Sequence, residues 1–247
     1  MPTPHASFNC FKIKNMKTNI RDTDHKFLDT LPTASNYGDF LRNNTSLVVW
    51  GTNLGSSVGY GRFTKLVSGM IELAPYQFGV VIGLLLSDGW SIMGSSTRTN
   101  ARLGFQQSRD KFDYLYFVFN LLSHYCSSFP HSTTGKKAGT FTYGIEFFTR
   151  SLPCFTKQHN HFYINNLKII PKDIYNLLSP IALAHWIMGD GAYYKGGGLA
   201  ICTDSYSIQD VVRLMNVLVV RYDLKCSLHR HREGRVKKRK IKGKKFL

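Results

Sequence analysis

The sequence predicts an α+β protein built from two copies of one structural unit, with the second copy incomplete. Two apolar runs carry this prediction: VIGLLLSDGW at Val81–Trp90 and LAHWIMGDG at Leu183–Gly191. Each run ends on a small residue, an aspartate and a glycine, and a pair of alternating segments and an apolar helix then follow in both places. Self-similarity of this kind indicates an internal duplication.

The net charge predicts a polyanionic partner. The 247 residues are 43% hydrophobic and 13% aromatic, which is typical of a globular chain with a sizeable core. The formal charge is +17, which favours nucleic acid or an anionic membrane surface as the partner. Residues 230–247 form a basic tail with ten Lys or Arg against one acid, Glu233, but the rest of the chain is basic as well.

The cysteines and the apolar runs exclude two classes of protein. Five cysteines without any CxxC spacing predict buried free thiols in a reducing compartment, not a disulfide framework or a zinc site. No apolar run reaches the roughly 18 residues that a membrane-spanning helix needs. We therefore expect no membrane partner.

The first copy is predicted over residues 47–172, after a polar segment, 1–46, that we expect to be disordered or outside the fold. Pro75 can begin the first helix and Gly89 can end it. The predicted elements are, in order, a helix over 76–88, strands over 90–93 and 101–108, a helix over 111–125, two strands within 136–150 that turn at Tyr143–Gly144, and short helices over 153–163 and 172–178.

The second copy is predicted over residues 173–229 and repeats only the first part of this order. Pro180 begins a helix that ends in Asp190. A hairpin then leads through Gly196–Gly198 to a strand over 199–204, and a helix follows over 208–222. Since the basic tail comes next, without alternation or an apolar face, we expect the second copy to lack its last two strands and closing helices.

The two aspartates are placed where a helix disfavours them. The partial negative charge at a helix C-terminus costs a carboxylate about 0.3–1 kcal/mol. If the helices pack side by side, Asp88 and Asp190 repel each other unless a cation lies between them, and hard oxygen ligands suit Mg²⁺. Small residues would allow that close approach, namely Gly83, Ser87 and Gly189. The alternative is that each Asp only caps the turn after a buried helix.

Together these stretches resemble the LAGLIDADG homing endonucleases, in their fungal mitochondrial, group I intron-encoded, single-chain form with two motifs. GLLLSDG and LAHWIMGDG match the two motifs. The resemblance extends over about residues 47–228 through strings such as NARLGFQQS, FFTRSLPCFT, KIIP and CTDSYSIQDVVRLMNVL. It implies a pseudo-twofold αββαββα fold, in which two motif helices form the central interface and two saddle-shaped antiparallel sheets lie in the DNA major groove.

The resemblance also implies roles for individual residues. Asp88 and Asp190 would bind Mg²⁺ or Mn²⁺, and each would serve one DNA strand. Ser87, Gly89 and Gly189 are predicted to belong to the same metal site. Gln107 matches a glutamine that orders the attacking water, and its counterpart in the second copy is Thr203. Arg150 matches a basic residue that steadies the scissile phosphate. The predicted DNA-binding residues are Arg98, Arg102, Gln106, Lys136, Lys137, Thr140 and Thr142 in the first copy, and Lys195 and Thr203 in the second.

Three functions follow from these observations. The first is a monomeric, metal-dependent, site-specific DNA endonuclease of intron homing, located in the mitochondrion by resemblance. The second is an RNA maturase that assists splicing of its group I intron through the same basic surface. The third is a catalytically dead DNA-binding remnant. The incomplete second copy predicts lower stability and strand cleavage that is weak, biased to nicking or absent.

Overall fold

The computed structural model describes residues 10–14, 54–94, 99–137, 140–193 and 198–229, with residues 10–14, 137 and 140 described as backbone only. Short 3₁₀ turns lie at Arg109–Lys111 and Ser123–Tyr125. The helices and strands are, in chain order, β1 (Cys10–Lys14), α1 (Lys65–Met70), α2 (Pro75–Leu86), β2 (Trp90–Ile92), β3 (Arg102–Ser108), α3 (Phe112–Leu122), β4 (His131–Lys137), β5 (Thr140–Phe148), α4 (Pro153–Phe162), β6 (Tyr163–Ile164), β7 (Leu167–Lys168), α5 (Ile174–Leu177), α6 (Pro180–Asp190), β8 (Gly191–Tyr193), β9 (Leu199–Ile201), α7 (Ile208–Tyr222) and β10 (Lys225–His229).

The helices α2 and α6 pack against each other at the centre of the molecule. Both begin with a proline at the first helical turn, where its missing N–H costs no intrahelical bond. Glycines on both helices allow the close approach. A Cβ on Gly83 would lie 2.5 Å from the backbone oxygen of Ala182, and one on Gly189 would lie 2.5 Å from the Ser87 side chain. The predicted close packing of the two motif helices is confirmed.

Each central helix leads directly into its own antiparallel sheet. The first sheet has the strand order β2-β3-β5-β4, and α3 covers it with buried side chains that include Leu115, Val118 and Leu122. The second sheet has the order β10-β1-β9-β8, and α7 supplies Val211, Leu214 and Leu218 to the core. The predicted α+β duplication with two antiparallel sheets around a two-helix interface is therefore present.

The predicted turn at Tyr143–Gly144 is wrong. β4 ends at Lys137 and β5 begins at Thr140, so Tyr143 and Gly144 lie inside β5. Gly144 is needed there because a Cβ would come within 2.9 Å of the Gln106 and Thr133 side chains on neighbouring strands. A glycine inside a strand often marks such crowding instead of a turn.

The second sheet contains more strands than the sequence predicted. β10 follows α7 as a third strand, which the expected truncation had excluded. β1 lies between β9 and β10 and pairs antiparallel with both, so residues 10–14 belong to the fold and not to a disordered extension. The sequence did not indicate this pairing because the partner strands lie almost a full chain length away.

Other packing agrees with the sequence. Cys126 and Cys154 are buried free thiols, as predicted, whereas the free thiol of Cys202 is exposed and that of Cys226 is only half-buried. His185 is a packed core residue whose ring contacts the Tyr114 hydroxyl at 3.0 Å, and burial lowers its pKa to about 4. Across the described residues, no helix combines the length and apolar character required to cross a bilayer.

The glycine contact between α2 and α6 predicts a specific sensitivity to one methyl group. Gly83→Ala should lower the free energy of unfolding by about 1–3 kcal/mol, since the new Cβ meets backbone atoms that cannot rotate away. Gly69→Ala in α1 is the matched control, because a Cβ there has no atom within 4 Å. Chemical denaturation of both variants measures the difference; equal midpoints for the two would contradict the proposed contact.

Candidate functional site

The two motif carboxylates lie together at the C-terminal ends of the central helices. Asp88 comes two residues after the end of α2, and Asp190 is the last residue of α6. The contact between Ser87 and Gly189 brings the adjacent residues of the two helices side by side. Burial and the nearby Asp88 carboxylate raise the pKa of Asp190 to about 7. The site therefore holds two acids that resist being ionised together.

Gln107 holds the Asp88 carboxylate in place. It occupies a core-facing position near the end of β3 and is 6% exposed. Its side-chain amide nitrogen donates a hydrogen bond of 2.7 Å to the Asp88 carboxylate. A buried amide that donates to one carboxylate oxygen fixes the orientation of that carboxylate. The sequence placed Gln107 beside the motif, and the structure brings the two side chains together.

Lys168 is a component of the site whose role sequence reasoning missed. Its ammonium donates to the backbone oxygens of Ser87 at 3.0 Å and Gly89 at 2.9 Å, which flank Asp88. Burial lowers its pKa to about 8, while the charges of Asp190 and Asp88 act in the opposite direction. A lone lysine among the apolar residues of NLKII was the available signal, since a lysine in an apolar strand needs a partner.

The second copy gives Asp190 weaker support. Thr203 follows β9 in the position that corresponds to Gln107, but it is only 1% exposed. Among the described residues, no hydrogen-bond partner reaches its hydroxyl. The prediction that Thr203 binds DNA is wrong for a side chain this buried. The charged groups that shift the pKa of Asp190 are Asp88, Lys168, Lys111 and Asp204.

Arg150 has a different environment from the one implied by resemblance. Its guanidinium donates to the backbone oxygens of Ser57, Tyr60 and Gly61 and lies over the Phe63 ring, 4.2 Å from its centroid. These bonds use its donors to fix the loop before α1 against the first sheet. Lys168, not Arg150, is thus the cation whose bonds flank Asp88.

The first sheet presents a polar face away from its core. Arg102 lies 4.2 Å from the centroid of the Phe148 ring, and Gln106 donates to the Thr133 hydroxyl at 2.7 Å. Thr142 is exposed and lies on the same face. It is two residues from Gly144, which pairs with Thr133 of this face, and alternate residues of a strand share a face. Lys137 and Thr140 lie opposite each other in the register of β4 and β5. Arg98 and Lys195 lie outside the described residues.

Lys136 is on the opposite face of this sheet. It pairs with Phe141 in the register of β4 and β5, and its ammonium lies 5.8 Å from the centroid of that ring. Neighbouring residues of a strand point to opposite faces, so Lys136 and Lys137 cannot both face a groove. The prediction of a groove-facing Lys136 is corrected accordingly.

A basic cleft of about 610 Å³ opens between the first sheet and the loop before α1. Arg62, Arg102 and Arg150 line it, together with His131 from β4 and Phe148 from β5. Three guanidinium groups around one open cleft favour an anionic ligand, because guanidinium groups match phosphate oxygens well.

The residues at the carboxylate pair fit a divalent metal. Among the described residues, no group of three or more His, Cys, Asp or Glu side chains is arranged to hold a metal. A cation here would depend on the carboxylates of Asp88 and Asp190, with water and phosphate oxygens as further ligands. Hard oxygen donors of this number suit Mg²⁺ or Mn²⁺, and a cation would offset both the burial and the repulsion by Asp88 that raise the pKa of Asp190.

Fold and site together define a duplicated α+β protein with a carboxylate pair at its internal interface and a polar, partly basic sheet face beside it. A model of the LAGLIDADG DNA endonuclease family matches residues 78–246. The chain belongs to this family, as the two motifs indicated.

Relatives of the chain include both maturases and endonucleases. It is 35% identical over 133 residues to the cytochrome b mRNA maturase bI2 of Debaryomyces hansenii, covering 52% of this chain and 50% of the relative. It is 34% identical over 84 residues to the intron-encoded endonuclease ai4 of Dictyostelium discoideum, covering 34% of this chain and 52% of the relative. The chain thus spans about half the length of these relatives.

A solved structure has the same fold. The homing endonuclease I-WcaI bound to its DNA recognition sequence superimposes with a TM-score of 0.60 at 24% identity, covering 68% of this chain and 79% of that one. This likeness confirms the predicted fold class.

The raised pKa of Asp190 predicts a pH-dependent effect of neutralising it. The folded protein favours protonated Asp190, so this group's contribution to stability is present below about pH 4 and is lost as pH rises through about 7. Asp190→Asn should match the parent near pH 4 and be more stable at pH 8, by on the order of 1–3 kcal/mol for a partly exposed group.

Thermal unfolding of the metal-free protein from pH 4 to 8 measures this difference. Asp110→Asn is the control, since it removes the same charge from an exposed position in the turn before α3. If Asp190→Asn gains no stability over the parent at pH 8, the two carboxylates are not coupled as described.

Proposed function

We propose that the protein is a site-specific double-strand DNA endonuclease that hydrolyses phosphodiester bonds at the Asp88–Asp190 pair. The observation that carries the proposal is that two mutually repelling carboxylates lie at the ends of two packed helices, beside a buried lysine. Structural helices gain nothing from this arrangement, because each acid meets both a helix C-terminus and the other acid. It is useful where a cation and a phosphate are to be bound.

Asp88 and Asp190 would hold Mg²⁺ or Mn²⁺, which, when bound, supplies Lewis acidity and a more acidic water. Gln107 keeps the Asp88 carboxylate in one orientation through its 2.7 Å hydrogen bond. Lys168 keeps a positive charge beside the flanking backbone oxygens, where it can stabilise the charge that develops on a phosphate under attack. Its pKa of about 8 leaves the ammonium mostly protonated at neutral pH.

DNA binding would use the polar face of the first sheet and the cleft beside it. Arg102 and Gln106 have the side chains that read guanine and adenine edges in a major groove. Arg62 and Arg150 lie in the cleft, where a backbone phosphate would interact with their charges. The overall charge of +17 adds a sequence-independent attraction that weakens as salt rises.

The two halves of the site differ, so we expect unequal cleavage of the two strands. Asp88 has a bound amide from Gln107, whereas Asp190 has the buried Thr203 at the corresponding position. A carboxylate without an orienting partner holds a metal less well, by about 10–100-fold in the range seen for such partners. Nicked DNA should therefore accumulate before linear product.

A cleavage assay tests the endonuclease. A target can be selected from a randomised duplex library and incubated with protein and Mg²⁺, with each DNA strand labelled separately. We expect one strand to be cut faster, no cleavage by Asp88→Asn, and a loss of about 10–100-fold for Gln107→Leu, which removes the orienting amide.

Gln106→Leu is the matched control in this assay. It alters the adjacent glutamine on the other face of β3, so it should weaken DNA affinity and leave the rate of the bound complex unchanged. Undiminished cleavage by Asp88→Asn would overturn the assignment of the site.

A second candidate function is binding of the intron RNA as a splicing cofactor. The relative from Debaryomyces hansenii is named a cytochrome b mRNA maturase, and a further one from Saccharomyces cerevisiae bears the same name at 33% identity over 160 residues. Those names also support the proposed mitochondrial location. We propose a monomer in both roles, since the duplication supplies both halves of the site within one chain.

Separate variants distinguish RNA binding from cleavage. Asp88→Asn combined with Asp190→Asn should abolish DNA cleavage and leave intron RNA binding intact. The two carboxylates repel RNA phosphates, so their removal takes away no attractive contact. Filter binding with the surrounding group I intron, in parallel with a scrambled RNA of equal length, measures the second property. If the parent binds both RNAs equally, the maturase role is contradicted.

A further inference from the structure

The strand β1 occupies in the second sheet the position that β5 occupies in the first. In the first sheet, β5 lies between β3 and β4 and pairs antiparallel with both. In the second sheet, β9 and β10 correspond to β3 and β4, and β1 lies between them with the same antiparallel pairing. The position of β5 is thus filled in the second copy by residues 10–14.

The register of β1 matches the two faces of the second sheet. Phe11 lies opposite Ile201, which is fully buried, and Ile13 lies opposite Leu199. Residues directly opposite in an antiparallel pair share a face, so positions 11 and 13 belong to the core-side set. Lys12 and Lys14 alternate with them and so belong to the set that corresponds to the polar face of the first sheet.

One pair of opposed residues in this register consists of two lysines, which repel each other unless an anion neutralises them. Lys14 lies directly opposite Lys225 of β10, and like charges at opposed positions destabilise a sheet. Lys12 lies between Ser227 of β10 and Ala200 of β9, two residues along from that pair. Three lysines at neighbouring positions of one face favour a polyanion that neutralises them.

We propose that β1 completes the second DNA-binding sheet and that Lys12 and Lys14, together with Lys225, bind phosphates of the second half-site. The choice of DNA as the ligand rests on the proposed function. The position of β1 rests on the strand pairing alone. It assigns the binding surface of the second half-site partly to a segment far from the second motif.

A disulfide tests the strand pairing without DNA. Ile13 lies opposite the native Cys226, and opposed residues of an antiparallel pair have Cα atoms about 4.5–5.5 Å apart, within the range of a disulfide. In a Cys10→Ser background, I13C should form a disulfide with Cys226 on mild oxidation, detected by peptide mass. K12C, one position along and opposite Ser227, is the control that should not. No disulfide in I13C, or equal amounts in both, overturns the pairing.

A binding measurement tests the lysines. K12T combined with K14T should reduce the slope of log affinity against log salt by about 2, one for each phosphate contact. It should also remove hydroxyl-radical protection from one half of the selected site only. K17T combined with K26T is the matched control, which removes the same charge from the same N-terminal segment and should leave both half-sites protected.

The outcomes separate the two proposals. A disulfide in I13C with unchanged DNA binding by the lysine variant overturns the phosphate contacts and keeps the strand. A parent protein that binds no DNA overturns the proposed function and the phosphate contacts together, and the disulfide still decides whether β1 is in the sheet.

Discussion

The close contact of α2 and α6 is the constraint on which the rest of the molecule depends. Gly83 and Gly189 each face the other helix so closely that no Cβ fits. Since Asp88 and Asp190 follow at the ends of these helices, that contact sets the spacing of the carboxylates. Each sheet begins within a few residues of its helix end, so the sheets flank the carboxylate pair on either side.

The repeat has diverged most in what surrounds each carboxylate. The first copy supplies an amide to Asp88 from Gln107, and Lys168 binds the backbone on both sides of the same residue. The second copy supplies a buried threonine in place of the amide. Its strand β9 is also shorter than the corresponding β3, since β9 ends at Ile201 whereas β3 continues to Ser108. A symmetric backbone thus holds an asymmetric pair of acids, and burial together with the Asp88 charge raises the pKa of Asp190.

Local patterns predicted the parts of this structure that depend on neighbouring residues. The helix over 208–222 has the predicted bounds, because its apolar period and its N-capping Ser207 are both local signals. Gln107 was placed correctly beside Asp88 by strand parity and resemblance. The hairpin turn was misplaced because a strand glycine was interpreted as a turn, when Gly144 is required by crowding between strands.

Features that depend on distant contacts were not predicted. Lys168 became a member of the site only through bonds to residues about eighty positions earlier, and its sequence neighbours gave no direct sign of them. Arg150 has the expected residue type, but the carbonyl oxygens that bind it come from a loop that the sequence did not connect to it. The position of Cys10–Lys14 depends on its pairing with β9 and β10, which lie far away in the sequence.

The insertion of β1 between β9 and β10 also has a consequence for the order in which the protein folds. The strand is synthesised long before its partners at Leu199–Ile201 and Lys225–His229. The strands of the first sheet follow one another much more closely and can pair during translation, whereas the second sheet must wait until Lys225–His229 has left the ribosome. Pairing across so long a stretch of chain also slows folding, because the closure entropy is paid before the contacts form.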